Sequence, residues 1–443
     1  MIETILSASC IAVAGLGKEG RTTISWLRRK GYCGKIIGAD LVEREMPEGA
    51  DEVCFGNDYL ARIRLSPLIF RAPGIPLDRF LGAGCLAGAI TSQSAIILGN
   101  CIVIGVTGTK GKSTVASLIA HILTKARVPC HLAGNVGTPF FELPDNAWNE
   151  VIVAELSSHQ LQDVRCSPHV AVLLGIVPEH LDYYDSYESY VRAKMNIVSH
   201  QNTEDTLLVT PDCAHGRQAI AQAKGSVVTF GHAPEADFFV DGQEVFFAGK
   251  PVINSGFLRG SHNAVNVAAA LAACSAAGVG IQDAAGYAMD FKPLPYRLET
   301  VAVLGGIEFI DDPLATTPEA LIAAIGAFEG KIGAIICGGH ERDQDYTWAA
   351  EAICESRAKV LVAFPVTGER IASQVIACAR SSGASPPVIV PATTMDAAVA
   401  AVFKYCASGD VCLHSPGAPS FGQFDNYRER SRAFREAISG FIS

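Results

Sequence analysis

Short apolar runs alternate with glycine turns and amphipathic stretches along the whole chain. Residues 10–14 read as an apolar strand leading into a glycine turn, a helix carrying Trp26 and Leu27, and a second strand over 35–39. Residues 101–106 are unbroken apolar, as in a parallel strand buried on both faces. The helix predicted over 113–126 sets Val115, Leu118, Ile119, Ile122 and Leu123 at i, i+3, i+4, i+7 spacing on one face. Strands follow over 151–155, 170–177, 206–209 and 227–230, then an alanine-rich helix over 263–277. Beyond Pro293 the pattern resets, with Gly305-Gly306 as a hairpin turn between strands 301–304 and 307–311. Helices at 318–328, 346–356, 368–381, 394–407 and from about 423 then alternate with strands at 333–337, 359–364, 387–390 and 410–414. Strand–helix alternation implies parallel sheets with right-handed crossovers. The predicted class is α/β in three domains, each a mainly parallel sheet flanked by helices: Rossmann-like over 1–94, P-loop type over 95–293, and Rossmann-like again over 294–443.

Composition narrows this picture. With 49% hydrophobic and 18% charged residues in 443, the chain can fill large cores and is not disordered. The net charge of −10, from 35 basic and 45 acidic residues, comes with no Lys/Arg block, which argues against nucleic acid or a membrane surface as partner. None of the 14 cysteines lies in a C-x-x-C pair, and Cys10, Cys101, Cys337 and Cys412 sit in apolar runs. They are expected to be buried free thiols of a reducing compartment. Residues 5–17 have the apolar look of a secretory leader but no preceding basic residue, so they read as the first strand. A soluble cytoplasmic protein is expected.

The strongest chemical signal is Gly108-Thr109-Lys110-Gly111-Lys112-Ser113, followed by Thr114, between a buried strand and an amphipathic helix. Glycines there let backbone N–H groups face phosphate oxygens, and the helix N-terminus favours negative charge. Lys112 would reach the outer phosphates and Ser113 would ligate Mg²⁺. Val106 stands where the usual phosphate loop begins with glycine. Glu155 ends the strand over 151–155 and would emerge at the same sheet edge, placing a carboxylate for the metal. The next strand ends in Pro178-Glu179-His180-Leu181-Asp182, making His180 a candidate second-metal ligand. A weaker fingerprint, Gly15-Leu16-Gly17 with Gly20 and a later Asp40, suits a pyrophosphate-bearing nucleotide. The loop Arg71-Ala72-Pro73-Gly74-Ile75-Pro76 adds a cation nearby. Two phosphate-binding regions suggest ATP acting on a nucleotide-linked substrate.

These residues, with Gly134-Asn135-Val136-Gly137, Glu155-Leu156-Ser157-Ser158, Gly260-Ser261-His262-Asn263 with Asn266, and Tyr296-Arg297, resemble the Mur ligase family over essentially the whole chain. The Arg71–Pro76 loop, Ser158-His159-Gln160-Leu161 and residues 420–427 look most like its glutamate-adding branch. The resemblance implies an ATP-dependent, ADP-forming ligase of peptidoglycan synthesis that joins glutamate to UDP-N-acetylmuramoyl-L-alanine through an acyl phosphate. It implies a UDP-binding first domain, an ATPase second and an amino-acid- and ATP-binding third. Gly15, Leu16, Gly17, Asp40, Arg71, Pro73, Gly74, Asn135, Ser157 and Ser158 would hold the UDP substrate. Residues 108–114 with Asn263, Asn266, Arg297 and Asp312 would hold ATP. Ser113 and Glu155 would carry one Mg²⁺, and His180 and a carbamylated Lys194 a second; Lys112, Glu155, His180, Lys194 and Arg297 form the implied catalytic set. Without the resemblance, Lys194 reads as a solvated helix lysine. Thr316, Arg342, Ser420, Phe421 and Tyr427 would hold the amino acid, and a monomer is expected.

Two departures bear on specificity. Asp312-Pro313-Leu314-Ala315-Thr316-Thr317 lacks the lysine common at that place in the glutamate-adding branch, and Arg342 replaces another lysine. Arg presents a planar fork suited to bidentate carboxylate contact, so the exchange is not neutral. D-glutamate is the family expectation, and L-glutamate stays open. The other readings are a folylpolyglutamate-type ligase, an NAD-dependent oxidoreductase using Gly15–Gly20, and a non-catalytic nucleotide-binding module.

Overall fold

In the computed structural model, residues 2–180, 183–260, 262–328 and 330–441 are described. Leu181, Asp182 and Ser261, which belong to the motifs above, lie outside them. The most apolar runs become the centres of three sheets. In the first, Cys10–Ala14 is flanked by Lys35–Asp40 and Leu68–Arg71, with Glu52–Phe55 and Ile90–Thr91 at the edges, all parallel. In the second, of nine strands, Ile102–Thr107 lies between Val151–Glu155 and Val170–Leu173. It is parallel except at the edge, where Phe238–Asp241, Glu244–Phe247 and Lys250–Asn254 form an antiparallel meander. The third runs Glu299–Leu304, Ile307–Asp311, Val411–His414, Ile332–Gly338, Val360–Phe364, Val388–Pro391, with only its first pair antiparallel.

The chain divides into two compact units, residues 1–254 with 264–291, and residues 255–263 with 292–443. The first two sheets share a unit because an aromatic stack joins their helical layers. Trp26, on the helix Lys18–Arg29, is buried and lies parallel to Phe141 at 4.0 Å between ring centroids. The helix Lys112–Lys125 buries the predicted stripe of Val115, Leu118, Ile119, Ile122 and Leu123 completely.

Several expectations need correction. Residues 2–6 form a short helix, Ile2–Leu6, so the first strand starts only at Cys10. The strand expected over 170–177 stops at Leu173, because the next residues turn to serve the phosphate loop: Leu174 N–H bonds Thr107 O at 2.9 Å and Gly175 O accepts from Thr109 N–H at 2.9 Å. The last helix begins at Tyr427, where Asn426 caps it by accepting from the N–H groups of Arg428 and Glu429. The meander over 238–254 was not anticipated. Cys101, Cys337 and Cys412 are buried as expected, but Cys10 is only half-buried; all fourteen cysteines are free thiols. Among the described residues no helix is long and apolar enough to cross a membrane.

Candidate active site

In a parallel sheet the loops leaving the C-terminal strand ends converge, and ligands bind where neighbouring loops part to opposite faces. The central sheet places there the loop after Ile102–Thr107, the acid ending Val151–Glu155 and the segment after Val170–Leu173. Gly108 and Gly111 take φ of 147° and 84°, values that side chains rarely adopt. A Cβ on Gly108 would stand 2.5 Å from the Leu174 Cβ, and one on Gly111 would collide with the Asn266 amide oxygen. The loop is therefore drawn tight, with Asn266 against its back. Buried Thr109 anchors it, accepting from Val177 N–H at 3.0 Å and lying 2.9 Å from the Tyr190 hydroxyl. Lys112 Nζ donates to Thr109 O at 2.8 Å, and Ser113 and Thr114 begin the helix half-buried. Lys110 pairs with Glu179 at 2.8 Å. Burial alone would raise the Glu179 pKa, but Lys110, Lys112 and His180 outweigh it and hold the carboxyl below its usual value.

Glu155 is buried beside this loop. One carboxylate oxygen accepts from Asn135 Nδ2 at 2.9 Å; the other, Oε2, is buried with no hydrogen-bond partner. Such an oxygen is costly to leave bare, and a cation is the partner that suits it. Among the described residues no three His, Cys, Asp or Glu side chains gather into a metal cluster. The donors present therefore fit a divalent ion that also takes the Ser113 hydroxyl, phosphate and water oxygens. Lys194 corrects the solvated-lysine expectation. It lies on the inward face of Tyr187–Ser199, is fully buried, and donates to Gly108 O at 2.6 Å. Burial first, and the charge of Lys112 second, push its pKa well below the usual lysine value, favouring a neutral amine. His180 has φ of 57°, with its ring 4.9 Å from that of His159 and its Nε2 3.8 Å from Glu179.

The first sheet repeats this design at its own switch point, between Cys10–Ala14 and Leu68–Arg71. Gly20 packs so closely that a Cβ there would strike the Gly15 carbonyl, and one on Gly15 would stand 2.6 Å from Ala72 Cβ. The loops expected to hold UDP are thus adjacent. Their charges, however, are spent internally. Asp40 accepts from the N–H groups of Leu16 at 2.7 Å and Val42 at 3.1 Å and from Arg44 at 3.1 Å. Burial opposes ionisation there, yet those bonds outweigh it and lower the Asp40 pKa. Arg71 is buried and donates to Ile75 O at 2.9 Å, His159 O at 2.7 Å and Asp163 at 2.7 Å. Pro73 O accepts from Tyr183 at 2.9 Å. Arg71 therefore shapes the loop bearing Pro73 and Gly74 and presents no free cation. Ser157 caps the helix Ser158–Leu161 in a reciprocal box with Gln160, and Ser158 is buried.

In the other unit, buried Asp312 follows Ile307–Asp311 and accepts from Ser415 at 3.2 Å. Burial raises its pKa to about 7 against the opposing pull of Arg297. Arg297 itself donates to Leu314 O at 3.4 Å and lies between Tyr296 and Leu298, both at positive φ. Asn263 donates to Arg259 O at 2.6 Å. The loops bearing Thr316 and Ser420 are stapled by buried Arg430, which donates to Pro313 O at 2.7 Å and Ala418 O at 3.0 Å. The loop bearing Arg342 joins them through His340 N–H to Pro419 O at 2.9 Å. Arg342 and Phe421 are exposed, Ser420 is buried, and the Tyr427 ring lies edge-on to Tyr296 at 5.5 Å.

Residues 106–274 match the model of the Mur ligase middle domain. A UDP-N-acetylmuramoyl-L-alanine–L-glutamate ligase of Micromonospora sp. is 34% identical, covering 98% of this chain and 97% of that one. A UDP-N-acetylmuramoylalanine–D-glutamate ligase of Acidobacterium capsulatum is 32% identical over 98% and 96% of the two chains. The chain belongs to the Mur ligase family. Its fold agrees with solved Mur ligases: MurF of Thermotoga maritima, in complex with ADP, matches with TM-score 0.61 at 19% identity over 99% of both chains. MurC of the same organism gives 0.61 at 18% over 97% and 99%.

Two residues that shape these loops escape a reading of the sequence. Asp163, the partner that commits Arg71, is far along the chain and gives no local signal. Arg430 lies in a helix otherwise rich in exposed charge. The burial of Lys194 was legible, since Tyr190, Val191, Ile197 and Val198 set an apolar stripe that runs through it.

Proposed function

We propose that this chain is an ATP-dependent, ADP-forming ligase joining glutamate to UDP-N-acetylmuramoyl-L-alanine, acting as a cytoplasmic monomer in peptidoglycan precursor synthesis. Full-length similarity to relatives that bear this activity in their names carries the reading. The tight phosphate loop beside an uncommitted Glu155 oxygen agrees with it. In this reading the chain has three domains, 1–94 for UDP, 95–293 for ATP and 294–443 for the amino acid and ATP.

Residues 108–114 cradle the phosphates, while Asn263, Asn266, Arg297 and Asp312 hold the rest of ATP. The alanyl carboxylate attacks the γ-phosphorus, ADP leaves, and an acyl phosphate remains; Lys112 and Arg297 offset the repulsion between the two anions. The glutamate amine then attacks the acyl carbon and phosphate departs. Ser113 and Glu155 would hold one Mg²⁺, and His180 with Lys194 the second; the metal supplies positive charge to the phosphoryl oxygens. A neutral buried Lys194 amine is the form that takes up CO₂ as a carbamate, giving an oxygen donor. The first-sheet loops, through Gly15, Leu16, Gly17, Pro73 and Gly74, with Asn135, Ser157 and Ser158, bind the UDP substrate, and Asp40 and Arg71 hold those loops in shape. Thr316, Arg342, Ser420, Phe421 and Tyr427 bind glutamate.

D-glutamate is the family reading. L-glutamate is favoured by the Micromonospora relative. Competition between the two enantiomers, with UDP-N-acetylmuramoyl-L-alanine and ATP, decides between them. Phosphate release that needs neither glutamate nor the UDP substrate would reject the whole reading.

A further inference from the structure

Two thiols outside the site lie against each other in the C-terminal unit. The helices Thr347–Glu355 and Thr367–Ser382 pack side by side over the face of the third sheet, sharing a core that includes Ala349, Ile353, Ile371 and Val375. Near the end of the first helix, the Cys354 thiol donates to Val375 O at 3.5 Å. It also lies within hydrogen-bonding reach of the Ala379 N–H and of the Cys378 thiol. Cys378 stands one helical turn beyond Val375, so the Cys354 sulfur is seated on the turn that carries it. Both residues are half-exposed. They approach through side chains from separate helices. The buried thiols Cys337 and Cys412 lie inside strands of the same sheet, out of reach of a solvent-borne oxidant.

We propose that Cys354 and Cys378 form a reversible dithiol–disulfide pair, closed by exchange with a small-molecule disulfide such as oxidised glutathione. The Cys378 thiolate attacks one sulfur of the oxidant, forming a mixed disulfide and expelling one glutathione thiolate. The Cys354 thiolate then attacks the Cys378 sulfur, the protein S–S bond forms, and the second glutathione thiolate leaves. Two electrons pass from the protein to the oxidant, and the two thiol protons pass to the released glutathione. The loops bearing Arg342 and the 365–366 turn precede the N-terminal ends of these helices, and the thiols lie near their C-terminal ends. Oxidation is therefore expected to brace the unit without blocking its site.

The test is to titrate the full chain in glutathione buffers of rising oxidised fraction, alkylate the remaining thiols, and map linked peptides by mass. A Cys354–Cys378 linked peptide, two mass units lighter than the two free peptides together, is expected ahead of any other linkage. With it the melting temperature should rise by about 5 °C. Cys354→Ser should leave Cys378 as a glutathione adduct, and Cys378→Ser should abolish the link, both with reduced-state melting close to that of the parent. Separate glutathione adducts on Cys354 and Cys378 in the parent chain, or a link from either to another cysteine, would overturn the proposal.

Discussion

The glycine loops at residues 15–20 and 108–113 are built alike. Each leaves a central parallel strand, turns on glycines at positions where a side chain would collide, and enters the helix that covers its sheet. Their charges are used differently. Around the first loop, Asp40 is held by backbone N–H groups and Arg71 by carbonyls and Asp163, so the ions serve to fix the loop. Around the second, Glu155 keeps a buried oxygen without a partner, and Lys194 is driven towards neutrality by its burial first and by the charge of Lys112 second. A loop that only binds can satisfy its ions internally; a loop that must stabilise charge appearing during reaction has to keep some unspent.

Substitutions can break this contrast. The largest effect belongs to Lys112→Ala, with a loss of roughly 10³-fold in substrate-dependent phosphate release and unchanged thermal unfolding. Equal losses of activity and of stability would mean that Lys112 is structural. Glu155→Gln keeps the volume and the Asn135 contact but removes the charge; phosphate release should fall about 10²-fold and require more Mg²⁺, read from a magnesium titration. An unchanged magnesium dependence would place the ion elsewhere. Arg71→Met should act in the opposite manner. It strands buried Asp163 and should cost about 3–5 kcal/mol in denaturant unfolding, with kcat changed only slightly in the folded fraction. A large fall in kcat with stability retained would make Arg71 part of the chemistry.

The last effect is read from pH dependence and concerns Asp312. Its folded pKa of about 7 lies above the unfolded value near 3.8, so the folded state binds the extra proton between these limits. Stability from this group is complete below the unfolded pKa and is lost as pH rises through about 7. Asp312→Asn should therefore flatten the fall in stability across that window, by at most about 1.4 kcal/mol per pH unit. A variant whose pH profile of unfolding parallels the parent would show that Asp312 does not titrate there.

What could be read beforehand follows from range. The phosphate loop, Glu155 and the strand–helix alternation were legible because backbone geometry and periodicity are local. The meander over 238–254 had a signal too: Asp241-Gly242, with Gly242 at φ 57°, between the phenylalanine pairs 238–239 and 246–247. The commitment of Arg71 to Asp163 was not legible, since only the fold brings the two together. Lys194 reads as solvated by residue type alone, whereas its position on an apolar stripe points inward.

The central claim is that ATP activates the alanyl carboxylate as an acyl phosphate. UDP-N-acetylmuramoyl-L-alanine labelled with ¹⁸O in that carboxylate tests it most directly, with the released phosphate read by mass. One labelled oxygen per phosphate is predicted, with the other retained in the new amide. Unlabelled phosphate formed alongside the amide product would contradict it.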